Sequence, residues 1–311
     1  MRCLVTGATG FVGSHLTRLL CQRGHEVAIL MRAESNPWRI ADVLPNLRVI
    51  QGDLSDLASV QDQIVKLQPE AVLHLAWQGV QSRFRNESVQ SDNIGTAAQL
   101  LEISHRAGCR TWIGFGSQAE YGPKPEAISE TDRPAPTSLY GMAKLATMEM
   151  SRATAGLMDM RWVWIRVFSL YGPADEPGWM LPSLIQQLLG REVPALTAGT
   201  QMWDYLYVEE AAEAIARLVE SPSASGLFNL GSGQARPLRQ IVELVRDMID
   251  PSLSLRFGEV PFRPDQVMHL EADITRLHEA LAWRPRGDLT AGLQATVAWH
   301  RARFNGKAAA S

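Results

Sequence analysis

Cysteine is scarce. The 311 residues include three, Cys3, Cys21 and Cys109, an odd number, widely spread and without metal-ligand spacing. That pattern describes buried or incidental thiols in a reducing compartment, neither a disulfide framework nor a metal site. Also missing is any apolar run approaching the ~18 residues of a membrane helix. The N-terminal MRCLVTGATG has no basic segment followed by an apolar one. A cytoplasmic protein without a membrane partner is expected. A dominant charge is lacking too: 30 Lys and Arg stand against 33 Asp and Glu, a formal net charge of −3. Such a surface gives no reason to bind nucleic acid or an anionic membrane, so an anionic ligand must be held by a local site. No repeat or low-complexity block is visible, and the tail Asn305–Ser311 is expected to fray.

What is present is a rhythm. Short, continuous apolar runs at Cys3–Thr6, Glu26–Met31, Leu47–Gln51, Ala71–Leu75, Thr111–Phe115 and Trp162–Val167 read as strands covered on both faces. Between them Phe11–Gln22, Leu57–Leu67, Val89–Ala107 and Leu139–Thr154 carry helical patterns. The alternation predicts an α/β fold, a doubly wound parallel sheet of Rossmann type. Proline-rich Gly122–Pro136 reads as an exposed loop. After Val167 the rhythm changes. Helices are expected at Trp179–Gly190, Glu209–Glu220, Leu238–Ile249 and Asp273–Leu281, with short strands near Tyr205–Val208 and Phe228–Leu230. The expected division is a dinucleotide-binding domain over 1–168, completed by about 203–230, and a smaller α/β substrate lobe from 169–202 and 231–305.

Gly7, Gly10 and Gly13 follow the first strand and open into the first helix. Glycines at such a turn let the backbone approach a pyrophosphate, and the helix N-terminus supplies free N–H groups and a positive dipole end. The second strand ends at Met31, where an NAD site usually carries an acid for the ribose 2′-OH. Arg32 follows and suits a 2′-phosphate, which favours NADP(H). Glu34 folding back would restore the acid and with it NAD(H). Asp53, after the third strand, is placed to accept from the adenine amine.

Tyr140 and Lys144 are spaced i, i+4 and share one helix face. A phenol of pKa near ~10 is poorly matched to neutral pH, and a neighbouring ammonium is expected to bring it down, making Tyr140 a usable acid or base. Ser117 closes the fifth strand at the sheet edge where ligands bind in such folds, ready to donate to a carbonyl oxygen. Ser117, Tyr140 and Lys144 are the predicted catalytic residues.

With these pieces the chain resembles the extended short-chain dehydrogenases/reductases that act on nucleotide sugars. The matching stretches are Thr6–Leu16, Gly52–Leu54, His74–Ala76, Asn93–Thr96, Ser117–Gly122, Tyr140–Lys144 and Arg166–Pro173, then Trp203–Ala212, Phe228–Gly233 and Leu281–Pro285. The resemblance implies cofactor contacts from Gly7, Thr9, Gly10, Phe11, Val12 and Gly13, from Arg32, Asp53, Leu54, Leu75 and Ala76, and from Tyr140 and Lys144. It implies substrate contacts from Ser117, Gln118, Ser169 and Arg263, a nucleoside-diphosphate sugar as ligand, and no metal. A homodimer built on the helices containing Thr96–Ala107 and Leu139–Thr154 is also implied.

Departures from the family pattern narrow the reaction. The 4,6-dehydratases carry acidic residues just after the Ser117 position, where this chain has Gln118 and Ala119. Glu120, one place later, is expected to point away or support the loop. Ser169 replaces a common Asn and Trp203 a common Arg at the diphosphate, which leaves Arg263 to carry more of that binding. Trp179 and Trp203 are candidates to stack on a base or sugar, or to be core or interface residues. The leading expectation is an NADPH-dependent reductase of an NDP-4-keto-6-deoxyhexose. The alternative is an NDP-sugar 4-epimerase with tightly held NAD, and a third reading is a non-catalytic redox-sensing binder.

Overall fold

The computed structural model describes residues 1–308, with side chains through Asn305. The chain begins with β1 (Arg2–Thr6), α1 (Phe11–Gln22), β2 (Glu26–Met31), β3 (Arg48–Gln51) and α2 (Gln61–Leu67). It continues through β4 (Ala71–His74), α3 (Val89–Arg106), β5 (Thr111–Ser117), α4 (Leu139–Leu157) and β6 (Arg161–Val167). Then come β7 (Ser169–Tyr171), α5 (Met180–Leu189), β8 (Ala195–Leu196), β9 (Met202–Tyr207), α6 (Val208–Glu220) and β10 (Gly226–Leu230). The last elements are β11 (Ala235–Pro237), α7 (Leu238–Ile249), β12 (Arg256–Phe257), β13 (His269–Leu270), α8 (Thr275–Leu281) and α9 (Leu289–Ala308).

Seven strands form one parallel sheet in the order β10-β6-β5-β4-β1-β2-β3. Every residue of β4 and β5 is buried, as strands sandwiched between helix layers must be. On one face Leu16 and Leu20 of α1 join Ile215 and Leu218 of α6. On the other, Ile64, Leu100, Leu101 and Met148 of α2–α4 pack over Leu4, Val72 and Trp112. The fold is Rossmann-like. Strand order reverses between β1 and β4, and the crevice at their C-terminal ends is where such sheets bind ligands.

β9 is flanked by β11 and β13, with β7 also paired to it, in a four-stranded second sheet. Leu184, Ile185, Ile241, Val245, Leu293 and Val297 of α5, α7 and α9 share a core against this sheet. Within the segment 203–230, β9 thus lies in the second sheet, while α6 and β10 return to the first.

Three sequence expectations change. Leu57–Leu67 is not one helix: a 3-10 turn at Leu54–Ser59 breaks at Asp56 (φ −131°, ψ 62°) before α2 starts. β5 extends past the expected Thr111–Phe115 run to Ser117, the residue expected to close it, which pairs in register with Val167, so Ser117 is held by the sheet. α9 was not expected; it carries the tail through Ala308 as helix, and the rest of the tail lies outside the described residues. No helix among the described residues is long and apolar enough to cross a membrane.

Candidate active site

β1 ends at Thr6, and Gly7 turns the chain with φ +76°. A Cβ at Gly7 would lie 2.7 Å from the Ala76 nitrogen, and one at Gly13 would lie 2.1 Å from the Gly7 oxygen. Both positions therefore require glycine. Gly10 caps α1 without a side-chain bond to the first-turn amides, which leaves N–H donors and the positive helix end for an anion. Thr9, Phe11 and Val12 belong to this turn. Leu75 and Ala76 border it: their nitrogens donate to the Thr6 carbonyl at 3.2 Å and the Thr6 hydroxyl at 3.3 Å. The uncapped helix start and this glycine cradle fit a dinucleotide pyrophosphate.

Arg32 follows β2, half-exposed, with its Nε 3.2 Å from Glu34 and a terminal nitrogen 4.0 Å from Asp53. Expected to await a 2′-phosphate, it already faces two carboxylates. Asp53 receives the backbone N–H of Ser55 at 2.8 Å, and that bond, with Arg32 adding its charge, holds its carboxyl below the usual range. One Asp53 oxygen caps its own loop, and the other faces Arg32. Leu54 packs against the core on the α2–α4 side.

Ser117, Tyr140 and Lys144 come together and are buried. β5 delivers Ser117. Tyr140 and Lys144 descend from the first turns of α4, which Ser138 caps through the Gly141 N–H at 3.2 Å. Burial pushes the Tyr140 phenol up, while the Ser117 hydroxyl and the Arg85 guanidinium act to lower it and Glu120 to raise it. Burial outweighs the lowering expected from a neighbouring ammonium. The Lys144 ammonium donates to the Phe115 carbonyl at 2.6 Å and lies 3.6 Å from the Trp77 ring centre, against 5.9 Å for the Tyr140 ring. Burial brings its pKa down to about 7.

Two residues not anticipated cover this site. Trp77 meets the Tyr140 ring edge-on at 6.2 Å and donates its indole N–H to Gln90 at 2.9 Å. Arg85 lies over the Tyr140 ring at 4.9 Å. The stretch Ala76–Ser88 has neither strand nor helix period, so nothing in the sequence showed that it folds over α4.

Glu120 supports the site from below. Its carboxylate accepts from the Ser117 N–H at 2.9 Å, the Trp164 indole at 3.2 Å and the Arg166 Nε at 2.6 Å. Burial raises its pKa and Arg166 opposes the rise. The side chain is fully buried, so it props Ser117 and points to no ligand. Gln118, next to Ser117, is partly buried, and Ala119 has no polar side chain.

In the second sheet, the Trp203 indole N–H donates to the Ser169 hydroxyl at 2.8 Å. Two residues that stand at expected diphosphate positions thus bond to each other. Trp203 and Tyr205 also wall a cavity of about 330 Å³ with Leu196, Thr197, Gln201 and Gln266. Its lining of flat apolar surface with a few amide and hydroxyl groups suits a planar base. Trp179 sits at the start of α5 and is not among the residues lining the cavity, although its neighbour Met180 is. Arg263 is exposed, 3.7 Å from Asp265, and does not line the cavity. No cluster of three or more His, Cys, Asp or Glu able to hold a metal occurs among the described residues.

Comparison with known proteins agrees with the fold. The model of the NAD dependent epimerase/dehydratase family matches residues 3–231. GDP-6-deoxy-D-mannose reductase of Pseudomonas aeruginosa is 27% identical over 95% of this chain and 96% of its own. The UDP-glucose 4-epimerase of Thermotoga maritima, solved with UDP-glucose, is 25% identical over 98% of this chain and 100% of that one, with a TM-score of 0.88. The UDP-glucose 4-epimerase of Thermus thermophilus, solved with NAD, is 26% identical over 97% and 99% of the two chains, with a TM-score of 0.85.

Proposed function

The chain belongs to the NAD dependent epimerase/dehydratase family, and on that premise we propose that it is a nicotinamide-dependent reductase of a nucleoside-diphosphate 4-keto-6-deoxyhexose. The observation that carries the reading is the neighbourhood of Ser117. Tyr140 stands beside its hydroxyl, while Gln118 and Ala119 leave no acid to eliminate water.

A bound nicotinamide would supply the hydride. Ser117 donates to the sugar carbonyl oxygen and orients it. As that oxygen becomes an alkoxide, Tyr140 gives it the phenolic proton and is left as phenolate. Lys144 reaches the ribose hydroxyls and adds positive charge to the site. The nucleotide base takes the cavity beside Trp203 and Tyr205, and the diphosphate lies between it and Ser117. Exposed Leu139, Met142, Met150 and Leu157 on α4 support the homodimer.

Cofactor choice is close. A 2′-phosphate carries about −2 charge, and at Arg32 it would compete with Glu34 and approach Asp53. The same pair supports a second reading, an epimerase that retains NAD, with Glu34 accepting from the ribose. Turnover of a 4-keto-6-deoxyhexose nucleotide with NADPH and with NADH tests the reductase. Tyr140→Phe should lower kcat by roughly 10²-fold or more while leaving sugar-nucleotide affinity within a few-fold. Near-full turnover would remove Tyr140 as the acid.

A further inference from the structure

The charge that faces the proposed acid does not come from its own helix. Arg85 lies in the loop between β4 and α3, with its guanidinium 4.9 Å over the Tyr140 ring. Its carbonyl accepts the Tyr140 backbone N–H at 2.8 Å, which ties the loop to the first turn of α4. Its Nε donates to the Val80 carbonyl at 3.3 Å, and no carboxylate pairs with it among the described residues. A half-buried guanidinium without a counter-ion, fixed over a buried phenol, interacts most strongly with that ring once it is negative, because a phenolate face is far richer in charge than a phenol face.

We propose that Arg85 is a positioning residue for Tyr140: clamped over the ring, it holds the negative charge left when the phenol gives up its proton, and so sets the pH range in which Tyr140 works. The inference rests on Tyr140 being the proton donor. Every other group facing the phenol is accounted for. Ser117 offers a hydrogen bond and Glu120 a buried negative charge. Lys144 is held by Phe115 and Trp77, and Trp77 carries no charge. Arg85 is therefore the cation placed on the ring face, with Lys144 farther from it at 5.9 Å.

The test reads the phenol itself, so it stands apart from whether any given sugar is reduced. The protein is labelled with carbon-13 at tyrosine Cζ and titrated with added NAD, and Tyr140→Phe identifies the resonance among the five tyrosines. Arg85→Met should move the Tyr140 midpoint up by roughly one pH unit, and Arg85→Lys, which keeps the charge, should stay nearer the wild type. Equal midpoints for wild type and Arg85→Met overturn the proposal. So does a wild-type phenol that stays protonated up to alkaline unfolding. Arg85→Lys guards against a folding defect, since a Lys variant displaced as far as the Met variant would trace the effect to geometry and also overturn it.

Discussion

The Lys144 ammonium stands 3.6 Å from the centre of the Trp77 ring, and Gln90 holds that indole in place at 2.9 Å. Contacts of this kind contribute on the order of 0.5–2 kcal/mol. Trp77 thus fixes Lys144 in the position from which it would meet the nicotinamide ribose. Ribose hydroxyls arriving at Lys144 should change the field felt by the indole. Adding NAD or NADP is expected to alter tryptophan emission, and Trp77→Phe should remove most of the change although the other tryptophans remain. Equal changes in both proteins would disconnect Trp77 from the cofactor.

Stability should depend on pH through Lys144. Its folded pKa is about 7 against a reference of 10.5, so between those values the unfolded chain binds the extra proton. Unfolding is then favoured by that proton, and stability from this group rises with pH across the window. Below about pH 7 the penalty is complete. Lys144→Met leaves the Phe115 carbonyl without its donor at every pH, so the change with pH isolates the charge. Thermal melts should show the variant gaining on the wild type as pH falls from 10 to 6. A Tm difference that does not vary with pH contradicts the shift.

How much of this was legible in sequence depended on the kind of contact. The first sheet was readable because most of its strands are short, mainly apolar runs, and the Gly7–Gly13 cradle follows from the glycine spacing together with its place between β1 and α1. The break before α2 was not, since it comes from the Asp53 side chain taking the Ser55 N–H and from Val60 closing on Gly52. α9 was hidden by weak helix formers, Thr290, Gly292, Thr296 and Val297; Gly292 is needed because a Cβ there would lie 2.2 Å from the Tyr171 hydroxyl. Trp77 and Arg85 reach Tyr140 across some sixty residues of chain, a juxtaposition that no local pattern encodes. Arg32 was visible, but its carboxylate neighbours were not.

Glu120 and Arg166 form a buried ion pair that also fixes the Ser117 backbone. Removing one partner of such a pair typically costs about 3–5 kcal/mol, because the other charge is left buried alone. Glu120→Gln and Arg166→Met should each lower the urea midpoint markedly. The double variant should be less destabilised than the sum of the two. Strict additivity in urea unfolding would show that the pair is not coupled.

The most direct test of the central claim is to denature the purified protein, quantify the released dinucleotide, and follow cofactor consumption with a 4-keto-6-deoxyhexose nucleotide. A reductase should release well under one equivalent and consume one added NADPH or NADH per sugar reduced. One equivalent of retained NAD, with sugar nucleotides interconverting without added cofactor, would contradict the account and establish the epimerase.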